Sequence, residues 1–251
     1  MESLLTFNKI GLTYHSLSNE TLAISNLSFS VKKEQFVSLI GPSGCGKTSI
    51  LSLVSGLIEK SEGSVTLNGK EITKPDDNVG YMLQKDQLFP WLTIEQNARL
   101  PLVIKNIKTQ KNIDYINDLL KKYELWDFRK RYPEQLSGGM RQRVALIRTL
   151  SCKPELLLLD EPFSALDYQT RLSVCEDVYG MIKAEGKTAL LVTHDISEAI
   201  SLSDTIIVLT KRPASVKNIY TLNFDKALSP INRREDPAFS QWFEILWREL
   251  N

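Results

Sequence analysis

Apolar and polar positions alternate through the first segment, residues 4–37. In Leu5-Thr6-Phe7 and Leu27-Ser28-Phe29-Ser30-Val31 every second side chain falls on one face, which predicts half-buried strands. Asn19-Glu20, between Tyr14 and Leu22, predicts a turn. The pattern then changes. Phe36-Val37-Ser38-Leu39-Ile40 is nearly all apolar and runs into Gly41, as a strand covered on both faces of a parallel sheet would. Residues 49–57 take helical spacing and stop at Gly56, a C-cap residue. Residues 63–69 alternate again, and Asn68-Gly69 is a hairpin turn signal. From Trp91 to Thr149 the period is helical. Thr93 and Gln96 have capping-box spacing, and Ile113, Ile116, Leu119, Leu120 and Tyr123 share one face. Three more apolar strings, at 156–159, 189–193 and 206–209, predict buried strands. Strands alternating with helices predict an α/β fold with a parallel sheet. Pro213, Pro230 and Pro237 punctuate the tail, where residues 238–250 predict an amphipathic helix.

Composition narrows the function. A chain of 251 residues, 42% hydrophobic, can bury a sizeable core as one α/β domain. A formal net charge of +1 argues against a protein built mainly to grip nucleic acid, because counterion release needs a basic surface. No apolar string approaches the about 20 residues of a membrane span. Glu2 stands where a secretory signal would be basic, so no signal is expected. Cys45, Cys152 and Cys175 are odd in number and lack metal spacing, which fits a reduced compartment. His15 and His194 are too few for a His-rich metal site.

Chemistry concentrates at three strings. Gly41-Pro42-Ser43-Gly44-Cys45-Gly46-Lys47-Thr48, followed by Ser49, fits a phosphate-binding loop, G-x-x-x-x-G-K-[ST], between a strand and a helix. Its glycines let backbone N–H groups point at phosphate oxygens, and the helix N-terminus faces the anion. Lys47 would reach the β- and γ-phosphates, and Thr48 would ligate Mg²⁺. Second, the 156–159 strand ends in Asp160-Glu161. At a strand's carboxyl end these carboxylates would lie beside the phosphate loop, Asp160 holding Mg²⁺ and Glu161 polarising an attacking water. Third, Ser137-Gly138-Gly139 could cap a helix beginning near Met140, exposing N–H groups to an anion. One chain has one phosphate loop, so this second anion site most simply serves a neighbour's nucleotide.

With Ser164-Ala165-Leu166-Asp167 and His194 following in order, this set resembles the ATP-binding subunit of ABC transporters over nearly the whole chain. The resemblance implies a P-loop NTPase core with a parallel sheet at 1–90 and 150–210, including an N-terminal antiparallel β subdomain. It also implies an inserted helical subdomain at 91–149 and a C-terminal tail at 211–251. It implies ATP and Mg²⁺, and a head-to-tail dimer in which each ATP lies between one subunit's phosphate loop and the other's signature, Ser137, Gly138, Gly139 and Gln142. Tyr14 looks like the aromatic that stacks on adenine, with a core-packed strand aromatic as the alternative. Gln84 resembles the glutamine that touches Mg²⁺ and senses the membrane partner, with a plain loop residue as the alternative. His194 resembles the γ-phosphate switch and Asp167 the aspartate linking the two sites. Met140 replaces a common glutamine, which a side chain pointing away from phosphate would tolerate. A thiol at Cys45, inside the loop, predicts protection from alkylation by bound ATP.

The stretch from Gln84 to Thr93, with Phe89, Pro90 and Trp91, is similar to the permease-contacting segment of nitrate/sulfonate/taurine-type importers. Thr210-Lys211-Arg212-Pro213 and Arg234 to Phe239 match that subfamily too. The alternative for Phe89 and Trp91 is core packing. The resemblance implies an importer ATPase for a small anionic solute such as nitrate, an alkanesulfonate or taurine; a thiamine-precursor pyrimidine is the alternative solute. Expected partners are a second ATP-binding subunit, an identical copy or a related one, integral membrane permease subunits and an extracytoplasmic solute-binding protein, but no nucleic acid. The expected location is cytoplasmic, peripheral on the inner face of the membrane. Two rivals come from other classes. A soluble ABC ATPase acting on nucleic acid would carry a coiled-coil insertion or tandem cassettes, and a small-molecule kinase would leave Ser137-Gly138-Gly139 and His194 unexplained.

Overall fold

The computed structural model describes residues 2–15, 19–225 and 227–250. In chain order the first elements are β1 (Ser3–His15), β2 (Glu20–Lys32), β3 (Phe36–Ile40), α1 (Lys47–Val54), β4 (Glu62–Leu67), β5 (Lys70–Glu71) and β6 (Val79–Met82). Three helices follow, α2 (Ile94–Ile104), α3 (Gln110–Lys122) and α4 (Gly138–Leu150). Then come β7 (Leu156–Asp160), α5 (Tyr168–Ala184), β8 (Thr188–Val192), α6 (Ile196–Leu202), β9 (Thr205–Leu209) and β10 (Val216–Thr221), and finally α7 (Pro230–Glu235) and α8 (Pro237–Leu250).

Two sheets result. One is antiparallel, in the order β2-β1-β4-β5. The other runs β10-β9-β3-β8-β7-β6 and is parallel from β9 to β6, with β10 antiparallel at its edge. The continuous apolar runs have a physical cause, since the parallel sheet is covered on both faces. Successive side chains of β7 enter different cores. Leu156 and Leu158 join the antiparallel sheet and α1, while Leu157 and Leu159 join the cluster of α2, α3, α4 and α5. β8 does the same, with Leu190 on one side and Leu191 on the other. A third cluster seats the tail: Leu246 of α8 packs with Ile200 of α6 and Ile206 of β9.

Local signals settle as their chemistry dictates. Thr93 and Gln96 form the capping box, Thr93 N–H donating to Gln96 Oε1 at 2.8 Å. Asn68 and Gly69 both take positive φ between β4 and β5, the hairpin turn their pairing predicts. The expected turn at Asn19-Glu20 is corrected at Glu20, which is strand, while Asn19 lies outside the strand. Glu20 opens β2 opposite His15, and residues 16–18 lie outside the described residues. β6 and β10 carry no sequence signal. β6 is four residues long and holds Gly80, where a Cβ would come within 2.8 Å of Thr149 on α4.

Gly56 ends α1. Its N–H bonds Leu53 O and Leu57 N–H bonds Ser52 O, closing the helix at φ +69°. A Cβ there would sit 2.3 Å from the Lys74 carbonyl carbon. In contrast, Gly180 lies inside α5, where an added methyl would meet nothing within 4 Å. Gly56→Ala is therefore expected to lose roughly 1–3 kcal/mol or more of stability, and Gly180→Ala to gain roughly 0.5–1 kcal/mol. Urea unfolding of the two variants checks both signs.

Candidate functional site

The site lies where three parallel strands end. Leu39 of β3 pairs Val192 of β8, and Val192 pairs Asp160 of β7. The loops after these strands therefore leave the sheet at one edge, as in open α/β sheets generally. A cleft of about 650 Å³ opens there, lined by Ser43, Gly44, Gly46, Lys47, Thr48, Ser49, Glu161 and His194. The loop after β3 wraps it. Gly46 takes φ +121° as the N-cap of α1, a conformation open to glycine, and a Cβ added there would meet Ala23 O at 3.5 Å and Ala214 Cβ at 3.7 Å. Lys47 Nζ donates to Gly41 O at 2.8 Å and Pro42 O at 3.1 Å, so its ammonium is held across the loop mouth. An entering phosphate oxygen would take over these contacts as a charge-assisted bond.

Asp160 is 8% exposed. Thr48 Oγ1 donates to its Oδ1 at 3.5 Å and Tyr81 OH to its Oδ2 at 3.2 Å. Burial pushes its carboxyl above the usual range, against the lowering effect of Tyr81 and Thr48. Burial, together with this carboxylate, pushes the Tyr81 hydroxyl up. Glu161 follows with φ +44°, held by its N–H on Val192 O at 2.8 Å. Two groups meet its side chain. Gln84 Nε2 donates to Oε2 at 3.3 Å, and His194 Nδ1 lies 3.2 Å from the same oxygen. Gln84 thus reaches the cleft through Glu161, and Asp160 through Thr48. Tyr14 is 44% exposed and donates to Ser49 Oγ at 2.9 Å, so it sits at the rim and not in the core.

The donor set fits Mg²⁺. Thr48 and Asp160 offer hard oxygens side by side. Among the described residues no group of three His, Cys, Asp or Glu could hold a metal. A cation here would depend on a few protein oxygens plus the phosphates of a bound nucleotide, which is how Mg²⁺ is usually held.

The signature residues do not line this cleft. Ser137 is exposed and caps α4, its Oγ accepting from Met140 N–H at 3.3 Å. The two glycines pack closely against side chains of this same chain. A Cβ at Gly138 would lie 2.9 Å from Leu166 Cδ2, and one at Gly139 2.8 Å from Val174 Cγ2. Gln142, also expected to contact a neighbour's nucleotide, lies differently from Ser137. It is 3% exposed on the inner side of α4, and its Oε1 is buried without a hydrogen-bond partner. Cys45 differs as well. Its side chain is 2% exposed, tucked beneath Gly41 in the core, so the thiol is shielded without nucleotide and alkylation would report nothing. Asp167 is exposed and caps α5, and its bonds to Thr170 hold its carboxyl below the usual range.

Phe89 and Trp91 are not in the core: they are 38% and 69% exposed, with ring centroids 5.2 Å apart. They line an apolar groove of about 670 Å³ with Leu83, Pro101 and Ile104. Sequence reasoning missed what presents them. Asn97, fully buried, accepts from Phe89 N–H and donates to the carbonyls of Phe89, Leu92 and Thr93. Two arginines of α4 hold the same loop, Arg141 on Asp86 at 3.0 Å and Arg148 on the carbonyls of Asp86 and Gln87 at 2.7 Å.

The sequence matches the family model described as ABC transporter over residues 24–164, more than half of the chain. It is 47% identical over 250 residues to the uncharacterized ABC transporter ATP-binding protein YtlC of Bacillus subtilis, covering 99% of this chain and 96% of that protein. It is 37% identical over 223 residues to the aliphatic sulfonates import ATP-binding protein SsuB of Bacillus thuringiensis, covering 87% and 86%. The fold is similar to the dimeric ATP-binding cassette MJ0796 bound to ADP and Pi. That match has a TM-score of 0.73 and 30% identity, and it spans 88% of this chain and 100% of that one.

Asp160 ties the site to stability. Its pKa is raised in the folded state, so the folded chain binds that proton more tightly than the unfolded chain does. The ionised carboxylate therefore costs stability, and the cost grows as pH rises from the unfolded to the folded value. Asp160→Asn is expected to be the more stable protein at pH 7, with the gap closing in acid, while its Mg²⁺-dependent ATP turnover falls. Urea midpoints at neutral and at mildly acidic pH, beside turnover assays, check this.

Proposed function

The chain belongs to the ABC transporter ATP-binding family, whose cassettes hydrolyse ATP, and on that premise we propose that it powers an importer of a small anionic solute of the alkanesulfonate class. Two copies would face each other head to tail on a membrane permease, supplied by an extracytoplasmic solute-binding protein. The observation that carries the importer reading is the Phe89–Trp91 groove. Two large aromatics stand in water on a turn that Asn97 fixes, five residues along the chain from Gln84 at its nearer end. An exposed apolar surface of this kind marks an interaction site. Among the described residues no helix is long and apolar enough to cross a membrane; in the importer reading the path would come from permease subunits. The naming of relatives as aliphatic sulfonates import proteins supports the solute class.

At the cleft, Lys47 and the loop N–H groups would hold the β- and γ-phosphates. Thr48 and Asp160, with Gln84, would hold Mg²⁺, which supplies charge neutralisation at the phosphates. Glu161 would accept the proton of the water that attacks the γ-phosphorus, and His194 would hold Glu161 and the γ-phosphate in register. The partner's signature would close over the nucleotide from the side where Ser137 is exposed. Such phosphoryl transfer is mostly positioning and charge stabilisation, and these residues provide both.

Glu161→Gln is expected to lower kcat by about 100-fold or more and to accumulate an ATP-dependent dimer in size-exclusion chromatography. A monomer with undiminished turnover would overturn the reading. In cells, replacing the gene by its Glu161→Gln form should abolish growth on an alkanesulfonate as sole sulfur source and spare growth on sulfate. Loss on nitrate or on a pyrimidine precursor instead would reassign the solute. Phe89→Ser with Trp91→Ser should cut uptake at least about tenfold with little change in melting temperature.

A further inference from the structure

Arg171 lies on the first turn of α5, outside every motif in the sequence, yet it touches both loops that flank the catalytic carboxylate. Its Nη2 donates to Leu166 O at 3.0 Å, in the loop that leads to Asp167. Its Nη1 donates to Asp195 Oδ2 at 3.3 Å, directly after His194. The network continues. Asp195 Oδ1 caps α6, accepting from Ser197 N–H at 2.7 Å and Glu198 N–H at 3.1 Å. Asp195 N–H donates to Thr193 Oγ1 at 3.0 Å, and Thr193 Oγ1 donates to Glu198 Oε2 at 2.6 Å. Thr193 and Glu198 are 1% and 3% exposed. His194 is therefore held on both sides by residues fixed in this network, while its own ring projects into the cleft.

One bond of the network is unmade. Arg171 Nε is buried without a hydrogen-bond acceptor and lies 3.8 Å from Glu198 Oε1. A buried donor without an acceptor costs free energy, so a small approach of Arg171 on α5 to Glu198 on α6 is favoured by completing it. Only a guanidinium suits this place. Its planar fork presents several donors in fixed directions, whereas a lysine ammonium on a flexible stem cannot serve a carbonyl and a carboxylate on different loops with the same geometry.

We propose that Arg171 is a positioning residue that locks the His194 loop to the 164–167 loop, so that the γ-phosphate contact and the partner-facing contact shift as one unit. A nucleotide that draws in His194 would then also draw in the residues of this chain that face the neighbouring subunit. The proposal rests on the ATPase reading for its use, but the lock itself is a property of the chain.

Two variants test it. Arg171→Lys keeps the charge and removes the fork. Asp195→Asn keeps a good helix cap and weakens the other end of the pair. Amide hydrogen exchange should quicken in both variants by about tenfold or more at Leu166 and at 195–198 together, with the β3 amides unchanged. Quickening confined to the start of α5 would mean ordinary local packing and would overturn the lock. In turnover assays each variant should lower kcat about tenfold or more with KM for ATP nearly unchanged, and should add little further loss in a His194→Ala background. Full multiplicative loss in that background, or wild-type kcat, would overturn the positioning role. A wild-type chain without turnover would count against the ATPase reading, while the exchange pattern would still decide the lock.

Discussion

Parallel pairing at one register makes the rest possible. Leu39, Val192 and Asp160 lie side by side on β3, β8 and β7, so the chain leaves the sheet three times at the same edge. Each exit carries different chemistry: a backbone loop with an ammonium, a pair of carboxylates, and an imidazole. The register holds because neighbouring side chains on these strands enter opposite cores. A slip of one residue would exchange the two sets and carry Asp160 away from Thr48.

The chemistry at that edge is held by polar groups that constrain one another. Lys47 is satisfied by two carbonyls of its own loop, Asp160 by two hydroxyls, and Glu161 by Gln84 and His194. Burial of the Asp160 carboxylate carries a cost, which the Tyr81 and Thr48 hydroxyls offset in part. The site is thus preorganised before any phosphate arrives, at some expense in stability.

Contiguous features were legible in the sequence, and cross-chain ones stayed hidden. The phosphate loop, the two carboxylates at the end of β7 and the capping box at Thr93 are strings in which neighbours in sequence are neighbours in function. Burial direction is a different matter. Gln142 and Cys45 lie inside motif strings, yet α4 and the phosphate loop turn their side chains inward, which residue order alone does not reveal. Tyr81, Arg171 and the Arg141–Asp86 pair act across 79, 24 and 55 residues of sequence respectively. No periodicity marks such contacts. β6 was invisible because four residues with a glycine among them are too few to show alternation.

The two glycines at the start of α4 have a packing meaning of their own. Their missing side chains let the start of α4 pack closely against Leu166 and Val174, so the serine that caps α4 and the aspartate that caps α5 belong to elements in direct contact. Any surface that reads one of them must accept the spacing of the other. A subunit docked across both caps would meet them at the spacing this contact sets, and a change that served one cap alone would act on the contact between the two helices.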